Sequence, residues 1–95
     1  MTRRIEETLA VDSQTAEFES TGRSLFVSAR GGFGGGTISV EYKLTDGSFA
    51  VLDSGIVGTL AAAGDLFVAN FPEGQTLRID LTGATAPTIA IIAQA

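Results

Sequence analysis

Residues 37–44, Thr-Ile-Ser-Val-Glu-Tyr-Lys-Leu, alternate apolar and polar side chains without a break, and Thr45-Asp46-Gly47 follows at once. A period of two over eight residues is the pattern of a half-buried antiparallel strand, with Ile38, Val40, Tyr42 and Leu44 facing inward. Asp-Gly supplies the positive φ that a tight hairpin needs, so residues 48–52 are expected to return beside the first strand.

The rest of the chain repeats the theme. Residues 15–20 read as a strand broken by Thr21-Gly22. Residues 24–30 place Leu25, Val27 and Ala29 on one face and Phe26 on the other, a pattern expected of a strand buried on both sides. Further strands are expected at 56–60, 66–71, 76–82 and 88–93. They are separated by Asp53-Ser54-Gly55, a small-residue link at 61–65, Pro72-Glu73-Gly74-Gln75 and a turn at 83–87. About eight short strands with Gly, Asp and Pro punctuation predict an all-β chain, a single antiparallel β-sandwich of jelly-roll-like or Ig-like type. Phe18, Phe26, Phe49, Phe67 and Phe71 are expected in its core.

Residues 1–14 are weakly patterned and are expected to form an N-terminal arm ahead of a sandwich domain at 15–95. A helix as short as residues 2–11, with Ile5 and Leu9 on one face, is marginal alone. An arm ordered against a neighbour fits better. Arg3, Arg4, Ile5 and Leu9 are therefore candidate partner-interface residues.

Five glycines surround Phe33 in Gly31-Gly32-Phe33-Gly34-Gly35-Gly36. A phosphate-binding loop would end in Gly-Lys-Ser/Thr, and Gly36 is followed by Thr37-Ile38. The dinucleotide spacing fails too, and no helix follows. The stretch reads as a bent strand connection. Its Phe33 either plugs the end of the core or anchors on a partner, which makes it the fifth candidate interface residue.

Six basic residues against eleven acidic ones give a net charge of −5, which opposes nucleic-acid binding and anionic membranes. Without histidine or cysteine the usual nucleophile and base pairs are missing, and the only lysine, Lys43, lies on the polar side of its strand. The carboxylates are scattered, and Asp46, Asp53 and Asp65 read as turn formers. No catalytic residue, cofactor site or metal site is expected. The basic N-terminus lacks the apolar run of a signal peptide, so synthesis in a cytoplasm is expected.

The runs 25–42 and 45–52, with Gly-Phe-Gly-Gly between an apolar and an alternating strand and then an Asp-Gly hairpin, resemble small virion proteins of tailed bacteriophages. Residues 63–68, 72–78 and 81–85 look like the same theme continued, and the likeness covers about residues 22–93. What the resemblance implies is a non-enzymatic capsid decoration or cement protein on the outside of the phage head. Its partner would be the major capsid protein, and it would be a homo-oligomer, with a trimer favoured. Another virion component (tail, head-fibre or head–tail connector) is the alternative. A glycan-binding β-sandwich module is the remaining one, disfavoured because the aromatic residues read as core.

Overall fold

The computed structural model describes residues 4–51, 59–68 and 72–95. Arg3, the expected 53–55 turn, Asp53 itself, the start of the expected 56–60 strand and Phe71 lie outside those residues. Nine strands are formed: β1 Arg4–Leu9, β2 Phe18–Thr21, β3 Leu25–Gly32, β4 Thr37–Lys43, β5 Phe49–Val51, β6 Thr59–Leu60, β7 Gly64–Val68, β8 Glu73–Thr82 and β9 Thr88–Gln94. They build two antiparallel sheets packed as a β-sandwich. One has the order β1-β9-β3-β7, and the other β2-β8-β4-β5 with β6 also on β4. The expected fold class is the observed one. Among the described residues there is no helix long and apolar enough to cross a membrane.

The chain changes sheet at six of its eight connections and stays in one sheet only through β4, β5 and β6. The core is the layer where the two inner faces meet. Leu25, Val27 and Ala29 of β3 and Ile89, Ile91 and Ala93 of β9 come from the first sheet, facing Phe18, Ile38, Val40, Leu77, Ile79 and Leu81 of the second. The alternation read at 37–44 holds for Ile38 and Val40, and Tyr42 packs at the core margin. Leu44 lies beyond the strand and is exposed, because the hairpin has already begun there. Leu44 N–H donates to the Ser48 carbonyl (2.7 Å) and Gly47 N–H to the Leu44 carbonyl (3.0 Å), with Gly47 at φ 92°.

The N-terminal segment differs from the expected arm. Residues 4–9 are β1, paired with β9 over six positions from Arg4↔Gln94 to Leu9↔Ile89. The chain then crosses to the second sheet. Thr15 N–H donates to the Ile79 carbonyl (2.9 Å), Ile79 N–H to Thr15 Oγ1 (3.0 Å), and Leu81 N–H to the Ser13 carbonyl (2.9 Å). Asp12 closes the crossing by accepting from the N–H groups of Gly83 (2.9 Å) and Ala84 (3.0 Å). The helical reading fails because the i, i+4 pair Ile5 and Leu9 also satisfies a period of two, and β9 offers the unpaired edge that selects it.

Of residues 72–75, expected to stop a strand, Glu73, Gly74 and Gln75 instead begin β8. The register between β2 and β8 slips between Glu19 and Thr21. Ser20 Oγ spans the slip, donating to the Pro72 carbonyl and accepting from Gln75 N–H (2.8 Å).

Candidate functional site

Of the five residues expected to meet a partner, the four described do not form one surface. Ile5 is 6% exposed and Leu9 5%, both spent on the chain's own core. Arg3 lies outside the described residues. Arg4 is exposed, with its guanidinium donating to Gln94 Oε1 (2.6 Å) and paired with Glu6 (3.4 Å). Phe33 is 7% exposed and belongs to the core cluster, so it plugs the end of the sandwich and leaves no anchor on the surface. Gly31 and Gly34 beside it are explained by that placement. Gly31 has φ 120° and Gly34 φ 59°, and a Cβ on either would stand 2.1 Å from a backbone carbonyl oxygen, of Thr88 and Thr85 respectively. Gly36 N–H donates to the Phe33 carbonyl and Thr85 N–H to the Gly34 carbonyl, both at 2.9 Å. Close backbone packing beside a buried aromatic therefore requires glycine at 31 and 34.

Among the described residues, the exposed aromatics are two that were expected inside. Phe26 is 37% exposed and Phe67 66%. They are direct cross-strand partners on β3 and β7. Their side chains share the outer face of the four-stranded sheet, while Leu25, Val27 and Leu66 fill the inner one. Registers place three rows on that face. The first runs Arg4, Gln94, Phe26, Phe67; the second Glu6, Ile92, Ser28, Asp65; the third Thr8, Ala90, Arg30. Phe67, Phe26, Ile92 and Ala90 form an apolar diagonal across the sheet. Ion pairs stand at its margins, Arg4 with Glu6 and Arg30 with Asp65 (3.1 Å). An apolar centre with a charged rim is the anatomy of a protein-binding surface.

The diagonal runs into an open groove of about 770 Å³ at one end of the sandwich. Phe26 and Phe67 form part of its wall, with Arg23 and Ser24 from the β2–β3 turn, Glu73 at the start of β8 and Gln94 of β9. Gly22, with φ 85°, brings this turn so close to β8 that an added Cβ would stand 2.9 Å from Glu73 Cβ.

Among the described residues, the opposite sheet shows no comparable aromatic face. Within it, the buried Glu41 and the half-buried Arg78 are cross-strand partners that bond to each other at 2.6 Å, with the Arg78 guanidinium 3.9 Å from the Phe49 ring centroid. Phe49 is thus half-buried under Arg78 on the outer side, apart from the core where it was expected. Asp80 accepts from Gln14 Nε2 (2.7 Å). Asp65, read as a turn former, is instead a strand residue paired with Arg30, whereas Asp46 does hold its turn. Among the described residues no cluster of three or more potential ligand side chains could hold a metal ion.

The sequence did carry a signal for the aromatic face. Phe26 shares strand parity with Ser28 and Arg30, and Phe67 with Asp65, so each aromatic lies on the polar side of its strand. Phenylalanine hydrophobicity hid a parity that marks this side as the outer one.

No protein-family model and no curated protein matches the chain. Among solved structures, the crystal structure of PirA matches with a TM-score of 0.58 at 11% identity, over 100% of this chain and 95% of that one. The likeness shows a shared fold. It overturns the resemblance to bacteriophage virion proteins, and with it the capsid decoration role and the alternative of another virion component. The pattern of turns behind that resemblance is what a β-sandwich of this topology requires locally, as Gly31, Gly34 and Gly47 show, so it does not discriminate between families.

Proposed function

We propose that this protein is a non-enzymatic interaction module that binds another protein through the outer face of its four-stranded sheet. The observation that carries this reading is the exposed cross-strand pair Phe26 and Phe67, continued by Ile92 and Ala90 and flanked by the two ion pairs. Aromatic side chains that join in an apolar patch on an otherwise polar surface supply the buried anchors of protein interfaces. The chemistry available supports binding over catalysis, since the chain has neither histidine nor cysteine.

The test is photocrosslinking in the cells that make the protein. Benzoylphenylalanine is placed at position 67, on the face, and at position 17, an exposed residue outside it. A discrete protein adduct from position 67 and none from position 17 is expected. No adduct from position 67, or the same adduct from both, removes the assignment of this face.

A further inference from the structure

Phe26 and Phe67 are opposite each other on one face, yet Phe26 is 37% exposed and Phe67 66%. The neighbouring strands explain the difference. Phe26 has Phe67 beside it on β7 and Gln94 beside it on β9. Phe67 has Phe26 alone, because β7 ends the order β1-β9-β3-β7. Among the described residues β7 pairs only with β3, so alternate N–H and C=O groups of Gly64–Val68 point away from the sheet with no strand to receive them.

Edge strands of soluble proteins are ordinarily blunted by charge, brevity or irregularity. The other described edges show these devices. β1 carries Arg4, Glu6 and Glu7 within six residues. β2 is four residues long, and its register slips between Glu19 and Thr21. β5 and β6 have three and two residues. β7 has five residues and one charge, Asp65, which Arg30 already engages. It is the least protected of the described edges, and it carries the most exposed aromatic.

We propose that an extended segment of a different protein adds to β7 as a fifth strand of this sheet, with an aromatic or β-branched residue opposite Phe67 and a basic residue two positions away, opposite Asp65. This rests on the reading of the outer face as a protein-binding surface and names how the partner engages it. Backbone hydrogen bonds along the edge supply affinity, and alternate side chains supply selectivity. Residues two apart on a strand share a face, so both specified positions lie over the outer side of the sheet. There an aromatic or β-branched side chain opposite Phe67 forms a favourable cross-strand pair and covers the ring. Charge selects the base. The net charge of −5 attracts a basic segment and repels an acidic one. Asp65 is on the strand that the segment would join, whereas Arg30 is on β3, about 10 Å from the added strand. A second copy of β7 would bring another Asp65 and another −5 to the same edge, so electrostatics oppose it.

A yeast-displayed library of random decapeptides, selected against the full chain, is the probe. Enriched sequences are expected to share an aromatic or β-branched residue with Lys or Arg two positions away. The strongest binder, synthesised and measured by fluorescence anisotropy, is expected to weaken about tenfold on Phe67→Glu and about threefold on Asp65→Asn. Both residues are exposed, and unchanged circular dichroism and thermal midpoint would show that the variants remain folded. Amide hydrogen exchange separates strand addition from docking of side chains alone. The peptide is expected to slow exchange at alternate residues of β7, and N-methylation of its own alternate residues to abolish binding. A library without a binder, enriched sequences lacking the basic residue, affinity that Phe67→Glu leaves unaltered, or β7 amides that exchange as in the free protein each overturn the added strand. The crosslink at position 67 separates that failure from failure of the broader reading. An adduct with another protein alongside any of those results retains the binding face and removes the added strand. An adduct only with the same chain overturns the proposal by making a second copy the occupant, and no adduct removes face and strand together.

Discussion

Gly31 and Gly32 stand side by side at the end of β3 and look equivalent in the sequence, yet the structure asks different things of them. Gly31 adopts φ 120°, and a Cβ there would sit 2.1 Å from the Thr88 carbonyl oxygen. That oxygen belongs to the backbone at the start of β9, so it cannot move aside without disturbing the ladder. Gly32 has ordinary backbone geometry and nothing within 4 Å of an added Cβ. Gly31→Ala is expected to destabilise the fold by about 2 kcal/mol or more, and Gly32→Ala to stay within about 0.5 kcal/mol of the parent. Urea unfolding of the two variants checks this, and equal midpoints would refute it. Asp46 makes a second claim at this scale. Its carboxylate accepts from Ser48 Oγ (2.6 Å) and Ser48 N–H (3.0 Å). The side-chain hydrogen bond, then the backbone one, hold its pKa below the ordinary aspartate value. A group whose folded-state pKa is depressed stabilises fully above its unfolded value, near pH 4, and loses that contribution as pH falls through the folded value. The hairpin is therefore expected to be unaffected by pH above about 4 and to loosen below it. An NMR titration of the Asp46 carboxyl should give a midpoint below the ordinary value, rising towards it in Ser48→Ala. A midpoint at or above the ordinary value in the parent would contradict the assignment.

At the scale of elements, strand positions were legible and strand environments only partly so. Residues 37–43 and 76–82 could be read from alternation because each has one apolar side and one polar side. β3 was read as buried on both faces because Leu25-Phe26-Val27 is a continuous apolar run, and Leu66-Phe67-Val68 of β7 repeats the ambiguity. In the sandwich, however, no element among the described residues covers the outer face of the four-stranded sheet, so Phe26 and Phe67 are exposed while Leu25, Val27 and Leu66 fill the core. Composition does not distinguish these outcomes; sheet order does, and sheet order is set by contacts distant in the sequence. The candidate site was missed for that reason. Phe33 is conspicuous among glycines, yet it is buried, and the glycines beside it mark a close backbone approach on either side of a core plug. The aromatic pair that does reach the surface sits in two ordinary strands 41 residues apart, made adjacent by the β3–β7 register.

Across the whole molecule, the segment with the weakest sequence pattern turns out to join the two sheets. β1 covers one edge of β9 in the first sheet, and residues 12–15 bond to β8 and to the 83–84 turn in the second. Ile5 and Leu9 belong to the same buried cluster as Val27, Ile79 and Ile91. A domain of this size has a net stability of about 5–14 kcal/mol. Losing two buried aliphatic side chains removes about 2 kcal/mol each in transfer free energy. Removal of the strand also leaves the β9 edge without partners and exposes the inner Ile89 and Ile91 from the side. A chain lacking residues 1–9 is therefore expected either to lose cooperative unfolding or to unfold at no more than about half the urea concentration of the full chain. A separable arm predicts the reverse, an unchanged midpoint and slope. Circular dichroism across a urea series distinguishes them, and near-identical curves would return residues 4–9 to the status of an appendage. Loss of the sandwich would identify β1 as part of the single core on which the aromatic face depends, since Arg4, Glu6 and Thr8 supply one margin of that face and their strand holds β9, with Gln94, Ile92 and Ala90, in register beside β3.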